Sequence, residues 1–223
     1  MAYRKEVFSI GQYYHLYNRG IAKQPIFFSR KDYQRAIELI IYYSYRNPSL
    51  RFSHYKRLPK EEKEKYLQNL KKSSKNQTNI LAFCFMPNHY HFVIQEIVEK
   101  GLSIFLSKFQ NSYAKYINTK YERTGSLFQS MFKAVRIESE EQLIHVCRYV
   151  HLNPITSYLL KNDRDLETYK WASFMDCLGK RSGIIDTQHL LRFYPSVEEL
   201  KSFTYNQADY QRSLEELRYF SLE

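Results

Sequence analysis

Cysteine is scarce in this chain: Cys84, Cys147 and Cys177 are the only three, odd in number, scattered, and never in a C-x-x-C spacing. That excludes a disulfide framework and a zinc knuckle and points to a reducing compartment, the cytoplasm. Glycine and proline are also few, 6 of each, with no low-complexity linker and no internal repeat. Collagen-like, solenoid and disordered classes are thereby set aside. No stretch approaches the ~18 apolar residues a membrane helix needs, and the opening MAYRKEVFSI has no apolar signal core. The expectation is a soluble protein that is not exported and has no membrane partner. Acidic residues are in deficit, 23 against 34 Lys plus Arg, for a formal net charge of +11.

What is abundant complements that deficit. A basic surface attracts polyanions, so nucleic acid is the leading partner. Aromatic residues make up 17% of the 223-residue chain, with 21 Tyr. Several stand among cations, as in Tyr42-Tyr-Ser-Tyr-Arg46 and Arg51-Phe-Ser-His-Tyr-Lys-Arg57. Aromatic rings can stack bases while cations hold phosphates.

The residue pattern predicts a strand at Tyr13–Tyr17, closed by Asn18-Arg19-Gly20, and then a helix capped by Ser29 and stopped at Asn47-Pro48. Residues 47–79 read as a surface insertion with a charged helix opened by Pro59. Two apolar segments, Ile80–Met86 and His89–Gln95, flank the tight Pro87-Asn88 pair and read as a hairpin. A long helix from about Ser103 to Tyr121 follows, then a strand at Met131–Ile137. A helix capped by Ser139, with Gln142 in the capping-box position, ends at Asn153-Pro154. This order predicts an α+β domain of ferredoxin-like (RRM-like) kind over residues 1–178. Helices would cover one face of an antiparallel sheet and leave the other for a ligand. From about Ile155 onward the pattern is mostly helical, including Trp171 in YKWASFMDCL, and a helical C-terminal extension over 179–223, including ADYQRSLEELRYF, would complete the chain.

Within the hairpin, MPNHYHFVI places His89 and His91 two residues apart, hence on one strand face, where two imidazoles can converge on one ion. On the following helix Leu143, Ile144, Cys147 and Val150 form the core stripe. Tyr149 lies on the opposite side with Gln142, His145 and Asn153, the last one turn beyond it. Two imidazoles and an amide oxygen would leave a divalent ion with open positions for a phosphate oxygen, and a nearby tyrosine hydroxyl could attack the phosphorus. Taken singly, each feature also has an ordinary meaning: a chance His-x-His, a surface tyrosine, a helix stop before proline.

Together, these residues resemble the single-tyrosine HUH transposases, in particular the REP-associated tyrosine transposases and their insertion-sequence relatives. The carrying segments are YYHLYNRG at Tyr13–Gly20, FMPNHYHFVI at Phe85–Ile94, RTGSLFQSMFKA at Arg123–Ala134, YVHLNP at Tyr149–Pro154 and YKWASF at Tyr169–Phe174. The resemblance implies that His89 and His91 bind magnesium or manganese, that Tyr149 is the nucleophile, and that Asn153, where the family often has glutamine, completes the metal site. Tyr90 between the histidines and Trp171-Ala-Ser-Phe174 depart from the family pattern without touching the proposed chemistry.

The implied activity is cleavage and rejoining of single-stranded or hairpin DNA through a 5′-phosphotyrosine, by a monomer or a homodimer. An ordinary tyrosine titrates near ~10, so the nucleophile needs help, for which His145 is a candidate. Arg19, Arg123, Lys133 and Arg136 are the cations expected on the DNA backbone. Tyr113 and Tyr116 are rival nucleophiles on sequence grounds alone. Two other readings stay open: a non-catalytic nucleic-acid-binding module stacking bases on Tyr90, Phe92 and other sheet aromatics beside basic residues, and a metal-dependent hydrolase that activates water.

Overall fold

The computed structural model describes residues 7–73, 76–129, 131–181 and 183–206. Its centre is a four-stranded sheet of β1 (Tyr13–Arg19), β2 (Thr78–Met86), β3 (His89–Glu96) and β4 (Lys133–Ile137), ordered β2-β3-β1-β4 with every neighbouring pair antiparallel. The helices α1 (Arg30–Ser44), α2 (Phe52–Tyr55), α3 (Lys60–Ser73) and α4 (Gly101–Lys120) lie between these strands in sequence, and α5 (Glu140–Thr156) follows β4. This is the α+β, ferredoxin-like arrangement expected.

Strand alternation sorts the sheet into two chemistries. Tyr14 and Leu16 of β1, Phe83 and Phe85 of β2, and Tyr90, Phe92 and Ile94 of β3 join α1 and α4 in one aromatic-rich core. Tyr90 is fully buried, its ring meeting Phe92, Phe109 and Phe128 at centroid distances of 5.1, 5.4 and 5.8 Å. Tyr90 and Phe92 therefore cannot stack bases, which removes the two rings named for that role in the nucleic-acid-binding reading.

Contrary to the expectation from sequence, the second face is not left bare. The stripe Leu143, Cys147 and Val150 on α5 must also leave water, and it does so against Leu81, Ala82, Cys84 and Val93. Short C-terminal helices, α6 (Phe174–Cys177), α7 (Thr187–Leu191) and α8 (Val197–Tyr205), extend this layer. The terminal ADYQRSLEELRYF segment lies outside the described residues. Tyr169–Ser173, expected to be helical, instead runs beside β2, where Phe85 N donates to Trp171 O and Ser173 N donates to Phe83 O.

The span expected as a surface insertion, 47–79, is tied to the core, and its last two residues open β2. Phe52, Tyr55 and Tyr66 pack on Tyr42 of α1, and Leu50 N donates to the Tyr66 hydroxyl. The α5 boundary also differs from expectation, continuing through Pro154 to Thr156. Proline removes one donor, but the Asn153 carbonyl accepts from Ser157 N and from the Thr156 and Ser157 hydroxyls, which holds the last turn together. Asn153 thus keeps its helical phase one turn beyond Tyr149. At the start of α5, Ser139 Oγ accepts from Gln142 N, and Gln142 Oε1 accepts from Glu138 N, one residue before the cap.

Because Tyr90 serves the core, Tyr90→Phe is expected to change unfolding free energy by less than about 1.5 kcal/mol. Tyr90→Ala should cost about 3–5 kcal/mol. Urea titration followed by circular dichroism measures both; a stable Tyr90→Ala that has lost only nucleic-acid binding would restore the base-stacking reading.

Candidate active site

The hairpin turn makes His89 and His91 the first residues of β3, and the pleat directs both to the α5 face. Pairing with β1 places Arg19 opposite His89 and Tyr17 opposite His91, and leaves His15 diagonal to His91. Gly20 is needed where β1 leaves the sheet: a Cβ there would collide with the Gln24 carbonyl.

The imidazoles form a contiguous group. The His89 and His91 rings are 5.1 Å apart, nearly perpendicular, and the His15 and His91 rings are 5.1 Å apart and stacked. His15 Nε2 and His91 Nδ1 are 2.9 Å apart. Tyr149 presents its ring edge-on to both, 5.7 Å from His91 and 5.8 Å from His15. Tyr17 stacks on His91 at 5.6 Å.

Asn153 is 6% exposed; its Nδ2 donates to the Tyr149 carbonyl at 3.0 Å, and its side chain lies against His89. Helix geometry has therefore brought the nucleophile candidate and the amide to the two strand histidines.

Burial keeps these rings neutral. Loss of water pushes His15 and His89 down to about 4, with Arg19 adding to the effect at His89 and Asn153 opposing it. His91 lies well below its ordinary value, first from burial and then from His89, His15 and Arg19. A neutral imidazole has a lone pair to give, the state metal ligation requires.

The donor set fits a divalent ion. Asn88 Nδ2 donates to the Lys23 carbonyl, which turns Asn88 Oδ1 toward His89 Nδ1 at 2.6 Å. His89 Nδ1 then carries the proton and Nε2 keeps its lone pair. Asn153, with its nitrogen engaged, has its oxygen to offer. No group of three His, Cys, Asp or Glu with metal-binding geometry occurs among the described residues; Asn153 is the candidate for a third donor beside the two histidines.

The remaining expected residues divide. Exposed Arg19 and Lys133 lie on the histidine face, Lys133 with its amine 5.9 Å from the Tyr17 ring. Arg136 alternates away from that face and bonds Gln12 Oε1, while Arg123 lies near Phe28 at the end of α4. His145, expected to assist Tyr149, is turned elsewhere: its Nδ1 is 2.6 Å from Arg148 and its ring packs on Phe203 of α8.

Tyr113 is fully buried and donates to the Ile26 carbonyl, and Tyr116 donates to Asp32, so both rivals have structural partners. The residues not singled out from sequence are His15, Tyr17 and Asn88. The period-2 alternation of Tyr13, His15, Tyr17 and Arg19 was the signal that could have found the first two.

Residues 31–153 match the family described as transposase, IS200 like. Among solved structures, the chain is similar to a REP-associated tyrosine transposase bound to a REP hairpin. The match has 12% identity and a TM-score of 0.51, and covers 83% of this chain and 94% of that one. At that identity the likeness speaks for the fold. No curated protein sequence matches this chain. No helix among the described residues is long and apolar enough to cross a membrane.

The neutral imidazoles carry a pH dependence. Burial disfavours the charged rings in the folded state, so the unfolded chain takes up protons first, near pH ~6.5. Stability is then full above that value and falls as pH drops toward 4. Buried His151, pushed down to about 3 and bonded to Ser173, adds to the trend. Urea unfolding at pH 5 against pH 7 should show a loss of about 2 kcal/mol for each such ring; a flat profile would mean the rings are solvated.

Proposed function

The chain belongs to the IS200-like transposases, and from that membership we propose that it cleaves and rejoins single-stranded DNA beside hairpins, with Tyr149 as nucleophile. The observation that carries the proposal is the juxtaposition across β3 and α5: Tyr149 edge-on to His91 and His15, with the Asn153 side chain against His89.

In the proposed reaction the Tyr149 oxygen attacks the phosphorus of one phosphodiester and the bond from phosphorus to the 3′ oxygen breaks. The phenolic proton is released and the departing 3′ oxygen gains one. The products are a 5′-phosphotyrosine and a free 3′-hydroxyl. Attack by a 3′-hydroxyl on the phosphotyrosine reverses the step and rejoins DNA. His89, His91 and Asn153 would hold a magnesium or manganese ion, which supplies positive charge for a phosphate oxygen. Exposed Arg19 and Lys133 would hold neighbouring phosphates on the same face. Arg123 and Arg136 would serve DNA that extends beyond it.

The hairpin partner is proposed by analogy with the REP hairpin of the similar structure. One chain carries both histidines and the tyrosine; a homodimer would present two such sites to one DNA.

Labelled single-stranded hairpin DNA incubated with the protein and magnesium, then run on a denaturing gel, tests the proposal. Wild type should form a covalent adduct and Tyr149→Phe none, while His89→Ala should lose metal-dependent cleavage. Cleavage without an adduct would identify a water-using hydrolase, and an equal adduct in Tyr149→Phe would sink the nucleophile assignment. Lys133→Ala should weaken DNA binding and reduce its salt slope by about 1, measured by fluorescence anisotropy across salt concentrations.

A further inference from the structure

We propose that His15 is a positioning residue: through its ring nitrogen it fixes the tautomer and orientation of His91, so that His91 presents Nε2 as a metal ligand. The inference rests on the proposed reading of His91 as a ligand and assigns a role to a third histidine.

An imidazole has two nitrogens, and in the neutral ring one carries the proton while the other holds the lone pair. A free neutral ring does not commit to one form, whereas a partner at either nitrogen decides the matter. His91 Nδ1 is 2.9 Å from His15 Nε2. Between two neutral rings that contact has one proton, held by one nitrogen or the other. With His91 as donor, Nδ1–H points at His15 and Nε2 keeps its lone pair. With His15 as donor, His91 Nε2 bears the proton and has nothing to give a metal. The ligand role therefore requires His91 to donate and His15 to accept.

Two further contacts give His15 the form of a support. Its ring stacks on His91 with 16° between the planes and lies 5.2 Å from Tyr17, which restrains its rotation. It also meets the edge of Tyr149, so the ring that orients His91 borders the nucleophile candidate as well. The same device recurs at the other histidine, where the Asn88 amide oxygen faces His89 Nδ1 at 2.6 Å. Both strand histidines thus have Nδ1 engaged by a neighbour, the arrangement by which metal-binding imidazoles are usually oriented. The diagonal placement of His15 across the β1–β3 pair produces the contact.

His15→Phe keeps an aromatic ring beside Tyr17 and Tyr149 but removes the acceptor. His15→Gln restores an acceptor oxygen at similar reach. With Mn2+ alone as the probe, calorimetric titration of the full chain should show dissociation constants raised about 10- to 100-fold in His15→Phe, with much of the affinity recovered in His15→Gln. Long-range proton–nitrogen NMR of the metal-free wild type should find His91 protonated at Nδ1, and His15→Phe should lose that preference.

Unchanged Mn2+ affinity in His15→Phe would overturn the role of His15 while leaving the metal site standing. So would equal losses in the Phe and Gln variants, which would mark a purely structural ring. A wild type that binds no Mn2+ would overturn the metal site and this inference with it. Should His15→Phe fail to fold, the wild-type spectrum decides: His91 protonated at Nε2 refutes the proposal, and at Nδ1 it supports it.

Discussion

The pairing of β1 with β3 is the constraint on which the other features of this molecule depend. These are the central strands, and their register puts Tyr14, Leu16, Tyr90 and Phe92 on one face and His15, Tyr17, Arg19, His89 and His91 on the other. A slip of one residue would drive imidazoles into the aromatic core and aromatics toward α5. The core enforces the register because Tyr90 and Phe92 are fully buried against α4, and each large ring left in water would forfeit about 1.5–3 kcal/mol. The chemistry on one face is thus held in place by packing on the other.

The helix α5 meets a second requirement. Its apolar stripe adheres to the β2 side of the histidine face, so the helix covers that side and leaves Lys133 and Val135 on the β4 side exposed. Tyr149 and Asn153 stand at the boundary between covered and open sheet. That position removes enough water to keep the histidines neutral, yet gives a DNA strand an approach. A helix that covered the whole face would bury the site; one absent from it would leave the imidazoles solvated and free to take up protons.

Much of the fold was legible along the chain because its periodicities are unambiguous. Two apolar runs about the Pro87-Asn88 turn defined the hairpin, and helical spacing defined α1 and α5. The reading failed where long-range contacts outvote local preference. Pro154 predicted a stop, but the Asn153 carbonyl has other donors. The segment around Trp171 looked helical, but the exposed edge of β2 offered it backbone partners. His145 shares a polar helix face with Tyr149, yet Arg148 and Phe203 hold it elsewhere.

The sequence by itself determined which residues could carry chemistry: two histidines at strand spacing, a tyrosine and an amide one helical turn apart, and an excess of positive charge. Such relations are local and follow from strand and helix geometry. Only the tertiary structure decided that the two halves meet, that the histidines are buried enough to stay neutral, and that His15 joins them. Those facts depend on strand register and on which surface a helix covers. Both are set by the burial of residues distant in sequence; alternation along β1 could place His15 and Tyr17 on one face, but not against the histidines of β3.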